Sequence, residues 1–121
     1  RSTDPPRVRT GTVTARMNYA WVCVNGTVVG EPFLGREEAV IDYVAFSLDD
    51  GSGRIRVCAH DDVARALIDA AAVPRPAETV DLSAIVHSGV GGRVQLRLRS
   101  ARDLRLPDRW GDADGRKERP L

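Results

Sequence analysis

Arginine supplies nearly all the cationic chemistry in this 121-residue chain; of its 18 basic residues only Lys117 is a lysine. A guanidinium forks onto phosphate-like anions and stacks on flat rings, so these residues could hold a polyanion. A GC-rich coding sequence would produce the same bias with no such task. Arg54 and Arg56 alternate with apolar residues, as do Arg93, Arg97 and Arg99. Aromatics are scarce, and Tyr19, Trp21 and Phe33 fall close together, with Tyr43 a little further on.

Catalysis has little material. His60 and His87 are far apart in sequence and have no paired nucleophile. Asp49-Asp50 and Asp61-Asp62 are carboxylate pairs, but the first opens a glycine-rich turn and the second suits a helix start, where Asp61 can cap. Cys23 and Cys58 lack the C-x-x-C or Cys/His spacing of a zinc site. They read as two buried thiols, or as one disulfide in an oxidising compartment. No glycine-rich loop precedes a Lys and Ser/Thr pair as a phosphate cradle requires. No catalytic residue, metal or cofactor is expected.

Eighteen basic residues against 17 acidic ones give a net charge of +1, so overall charge selects no partner. The length suits one domain. No apolar run approaches the ~20 residues that span a bilayer, and no signal peptide is visible, which points to the cytoplasm. The start at Arg1 rather than Met suggests a fragment, a trimmed chain or a processed product. Residues 1–7 read as a flexible tail and residues 107–121, charged and glycine-containing, as a disordered one, Trp110 excepted.

The positioning elements between the tails are mostly β. Val8 to Arg16 alternates, with Thr10, Thr12 and Thr14 on one face, and predicts a first strand. Val40 to Leu48 predicts a second. Asp49-Asp50-Gly51-Ser52-Gly53 is a tight turn, and Arg54 to His60 a third strand with Arg54, Arg56, Cys58 and His60 on one face. Val63, Ala66, Leu67 and Ala70 give the only helical spacing, with Pro74 and Pro76 stopping it. Thr79 to His87 and Arg93 to Ser100 predict the last two strands around a Ser88 to Gly92 turn. Between Arg16 and Val40, residues 17–39 are an apolar stretch in which Asn25-Gly26 signals a hairpin, the alternative being an extension of the first strand that bends. The Asn25-Gly26-Thr27 sequon matters only in a secreted eukaryotic protein.

The stretch Phe46-Ser47-Leu48-Asp49-Asp50-Gly51-Ser52-Gly53-Arg54-Ile55-Arg56-Val57 resembles the OB-fold family of the tRNA-anticodon and helicase type. Val8 to Val13, Glu78 to Val86 and Val94 to Leu106 echo its other strands. Residues 17–39, where that family often has only a short loop, are by this resemblance an insertion. The resemblance spans roughly residues 8–106 and implies an all-β, five-stranded barrel with one short helix between strands three and four. It further implies a non-catalytic module for single-stranded DNA or RNA, DNA slightly favoured, bound on the outward face of the second and third strands. Tyr43, Arg54 and Arg56 would then face out together, joined by Arg93 beside the last turn, Arg97, and Tyr19. Each of these residues also fits an ordinary solvated strand face. The other expectation is an interaction subunit without nucleic acid, with a protein partner on the 17–39 insertion, where Trp21 could simply pack. Nucleic-acid domains tend to be more basic than this chain.

Overall fold

The computed structural model describes residues 5–37 and 40–110. Among the described residues there are six strands: β1 (Trp21–Glu37), β2 (Val40–Asp49), β3 (Arg54–His60), β4 (Thr79–Ser88), β5 (Val94–Arg97) and β6 (Leu104–Arg105). Helix α1 (Asp61–Asp69) joins β3 to β4, and α2 (Pro107–Trp110) follows β6. β1 pairs with β2, β2 with β3, β3 in parallel with β5, β5 with β4, and β4 back with β1, so five strands close a ring. β5 and β6 follow one another along the β4 edge opposite β1.

Alternation closes this barrel around one interior, broken where Ala45 of β2 and its partner Cys58 of β3 are buried on the outer face as well. Val22 and Val24 of β1, Val44, Phe46 and Leu48 of β2, Val57 of β3, Val80, Leu82, Ala84 and Val86 of β4, and Leu96 of β5 are all buried. Leu104 and Leu106 complete the core, as expected. α1 covers one end with Ala64 and Leu67. Ala66 and Ala70 are exposed, so the helical stripe is rotated from the expected one. His60, not Asp61, is the N-cap; Asp61 has φ 51° and makes no capping bond. The helix ends before the prolines in a Schellman closure: Ala71 N–H donates to Ile68 O (3.0 Å) and Ala72 N–H to Leu67 O (2.8 Å), with Ala71 left-handed at φ 55°.

Two expectations fail at the start of the chain. Val8 to Arg16 is not a strand: Thr10–Thr12 and Ala15–Met17 are short 3-10 turns. Thr10 is 1 % exposed, and its polar groups are satisfied by the β2–β3 turn rather than by a ladder. Its N–H and hydroxyl donate to Asp50 (3.0 Å each), its hydroxyl also lies 2.5 Å from Gly53 O, and Asp50 N–H donates back to that hydroxyl (3.0 Å). A Cβ on Gly11 would stand 2.1 Å from Ser52 O, so this close crossing demands glycine. The expected insertion is β1 itself: not a hairpin but one strand that bends, as the alternative had it, although among the described residues there is no earlier strand for it to extend. Asn25-Gly26 runs through it without turning, because Gly26 lets the β2 backbone approach: a Cβ there would meet Asp49 at 3.0 Å. The bend falls at Gly30, φ 77°, where the β1–β2 register shifts.

Both expected tails are partly fastened. Cys23 N–H donates to Pro6 O and Val8 N–H to Cys23 O, at 2.8 Å each. Arg109 forks onto Glu78 (2.7 and 3.0 Å) and also donates to Ala71 O and Val73 O, so 107–110 are held rather than loose. Burial raises the Glu78 carboxyl, but the Arg109 hydrogen bonds and charge outweigh it and leave the group below its ordinary value. The remaining tail residues, 1–4 and 111–121, lie outside the described residues. Cys23 and Cys58 are both free and buried.

Candidate functional site

Parity on β2 and β3 sends Leu48 and Ile55 inward, so Tyr43, Ser47 and Asp49 emerge on the same outer face as Arg54, Arg56, Cys58 and His60. The β2–β3 register sets Tyr43 opposite His60, Ser47 opposite Arg56 and Asp49 opposite Arg54. Beyond β3, Gln95 lies opposite Arg56 and Arg97 opposite Cys58. Arg54, Arg56 and Arg97 are exposed, and among the described residues none of them is in an ion pair.

The turn that launches β3 is rigidly made. Asp49 accepts from Gly51 N–H (2.7 Å) and Gly53 N–H (3.3 Å), while Gly51 and Gly53 take φ 103° and 141°. Asp50 is held well below the usual carboxylate range. The Ser52 hydroxyl is the largest cause, and the Thr10 and Ser52 N–H groups add to it against a smaller opposing effect of burial.

One end of the face is aromatic. Phe33, 56 % exposed on β1, meets Tyr43 edge-on at 6.0 Å between ring centres, and Tyr43 meets His60 edge-on at 5.0 Å. Gly35 makes room for this: a Cβ there would lie 3.1 Å from the Phe33 ring and 3.3 Å from Tyr43. Burial first, then the Arg97 charge, lowers His60 below its ordinary 6.5, against the Asp61 and Asp42 carboxylates. At neutral pH His60 is therefore an uncharged flat ring. Cys58 is pushed up by burial, with the nearby Arg97 charge acting the other way, and stays a thiol.

The other end is a recess of about 560 Å³ lined by Arg56, Gly89, Arg93, Val94 and Gln95. Its loop turns on Gly91 and Gly92, both at φ 75°, and is closed by Gly89 N–H to Arg93 O (2.7 Å). The structure thus brings Arg56 and Arg93 to one hollow and sets Tyr43, Arg54, Arg56 and Arg97 on one face. Tyr19 is apart from these: 75 % exposed at φ 72°, it donates its N–H to Val86 O beyond the far side of β4. His60, which the sequence offers as an unpaired histidine without a nucleophile, shares the parity of Arg54 and Arg56 and so belongs to this face. Nothing in the sequence ties Phe33, which lies within residues 17–39, or Gln95 to this face. Among the described residues no group of three His, Cys, Asp or Glu side chains could hold a metal, and no helix is long and apolar enough to cross a membrane.

A closed five-strand ring in the order β1-β2-β3-β5-β4, with a helix between β3 and β4 and its loops flanking the β2–β3 face, is an OB fold. No protein-family model matches the chain, and no curated protein matches it in sequence. Solved structures do match. OBody AM1L10 bound to hen egg-white lysozyme superposes at TM-score 0.64 over 88% of this chain and 96% of that one, at 17% identity. Asparaginyl-tRNA synthetase from Pyrococcus horikoshii gives 0.61 over 87% of this chain but 22% of its own, at 16% identity. The second OB-fold domain of replication protein A from Methanococcus maripaludis gives 0.53 over 83% and 93%, at 14% identity. At such identities the likeness is one of fold.

Proposed function

We propose that this chain is a non-catalytic module that binds single-stranded nucleic acid, DNA ahead of RNA, on the outer face of β2, β3 and β5. The observation that carries the reading is the meeting of a Phe33–Tyr43–His60 aromatic row with Arg54, Arg56, Arg93 and Arg97, none of them in an ion pair among the described residues. Bases stack on the rings, each stack giving on the order of 1–3 kcal/mol, while the guanidiniums meet phosphates. The recess between Arg56 and Arg93 has room for one nucleotide. Similar folds in an aspartyl- and an asparaginyl-tRNA synthetase and in a replication protein support the reading by analogy.

The test is a fluorescence-anisotropy titration of a single-stranded DNA, with RNA of the same sequence beside it, at low and moderate salt. Micromolar or tighter binding that weakens with salt and in Arg54→Ala/Arg56→Ala would support the reading. No binding at low salt would refute it. A protein partner is the second reading. It is favoured by Phe33 and Leu34, which stand exposed at adjacent positions of β1, and by the similar OBody, which is bound to lysozyme.

A further inference from the structure

We infer that Arg99, stacked on Trp21, is a phosphate fork that carries the single-strand track off the β3–β5 face, across β4, to the start of β1. The inference rests on the nucleic-acid reading above and extends it to a part of the barrel away from the β2–β3 face.

The Arg99 guanidinium carbon lies 4.0 Å from the centre of the Trp21 ring. At that distance the cation is attracted to the ring face, a contact that uses none of its N–H groups as donors to a carboxylate or carbonyl. Arg99 is exposed, and among the described residues it is in no ion pair. In this it matches Arg54, Arg56, Arg93 and Arg97 and differs from Arg105, which is taken up by Asp81 (2.7 Å); unlike the other four it sits over an aromatic ring. Arg99 therefore keeps its donors free among the described residues, with its charged end placed over the Trp21 ring.

Its platform is in line with the proposed site. Register sets Trp21 opposite Ile85, Ile85 opposite Arg97, and Arg97 opposite Cys58 on β3. With neighbouring strands about 4.8 Å apart, Trp21 is about 10 Å from the Arg97 strand along this row. The row between them holds Ile85 and no acidic residue. A strand leaving Arg56 and Arg97 thus crosses an uncharged step before it reaches Arg99. Rigid bidentate geometry suits the two non-bridging oxygens of a phosphodiester.

The test uses an oligothymidylate of roughly 16 nucleotides, the upper end of the site size for one such fold. It has no guanine, so only its phosphates offer the paired acceptors. Arg99→Ala should weaken binding about tenfold and reduce the salt slope by about 0.7, one phosphate of a single strand. Arg99→Lys keeps the charge but loses the stacked fork, so it should keep the slope and weaken binding about threefold. Arg99→Ala within twofold of the parent, with Arg56→Ala still impaired, would overturn the inference and leave the nucleic-acid reading standing. Arg99→Lys equal to the parent would reduce Arg99 to a point charge and also overturn it. A parent protein that binds no oligonucleotide would sink the functional reading itself.

Discussion

Replacing Thr10 by valine tests whether the N-terminal crossing fastens the turn that carries Arg54. Valine has nearly the same shape but no hydroxyl, and the site is 1 % exposed, so water cannot substitute. The hydroxyl proton goes either to Asp50 (3.0 Å) or to Gly53 O (2.5 Å), and the oxygen accepts Asp50 N–H at 3.0 Å. The donated bond is lost at about 1 kcal/mol net, and leaving the Asp50 N–H without its acceptor costs about 1–2 kcal/mol more. The expected loss is about 2–3 kcal/mol, a melting-point drop of roughly 8–12 °C at ~4 °C per kcal/mol. Thr10→Ser keeps the hydroxyl and drops one methyl, so it should cost only about 1 kcal/mol. Urea unfolding at pH 7, followed by far-ultraviolet circular dichroism, reads both. A valine variant within 0.5 kcal/mol of the parent, or a serine variant worse than the valine, would refute the reasoning.

Acid should unfold the protein through two carboxylates. Asp50 and Glu78 both stay ionised in the folded chain below their ordinary values of 3.8 and 4.5. The unfolded chain binds more protons in that range, so stability is full above about pH 4.5 and falls as pH drops through the folded values. Melting curves from pH 7 to 2 should show this, with Asp50→Asn flattening the decline. Ala71→Gly should stabilise the fold by about 0.5–1 kcal/mol, since glycine adopts the left-handed φ of 55° without strain; thermal melts measure it, and a lower melting point would count against that account of the helix end.

The strands most legible in the sequence were those with long, uninterrupted alternation. Phe46 to Val57 announced its own hairpin because both strands and the turn are contiguous, and every residue there obeys local rules. Thr10 misled because its partners, Asp50 and Gly53, lie forty or more residues away: a threonine alternating with valine looks like a strand until the turn claims its hydroxyl. Gly26 misled for a related reason. An Asn-Gly pair signals a turn, but here the missing side chain serves the approach of another strand. The outward placement of Tyr43, Arg54 and Arg56 followed from parity alone. What parity could not supply was the company they keep: His60 beside Tyr43, Phe33 over Gly35, and Arg99 on a tryptophan seventy-eight positions earlier.

The bend of β1 at Gly30 has a consequence for how the protein behaves in crowded solution. Past Thr27 the strand leaves β4 and continues with β2 alone, so one side of residues 31–37 has no neighbouring strand among the described residues. Such a bare margin invites a second chain to add itself and begin aggregation. Here Pro32 offers no N–H, Glu31 and Arg36 stand exposed as charges, and the bulge at Gly30 twists the ribbon out of register. The ribbon can therefore project into solvent without becoming a template for its own kind.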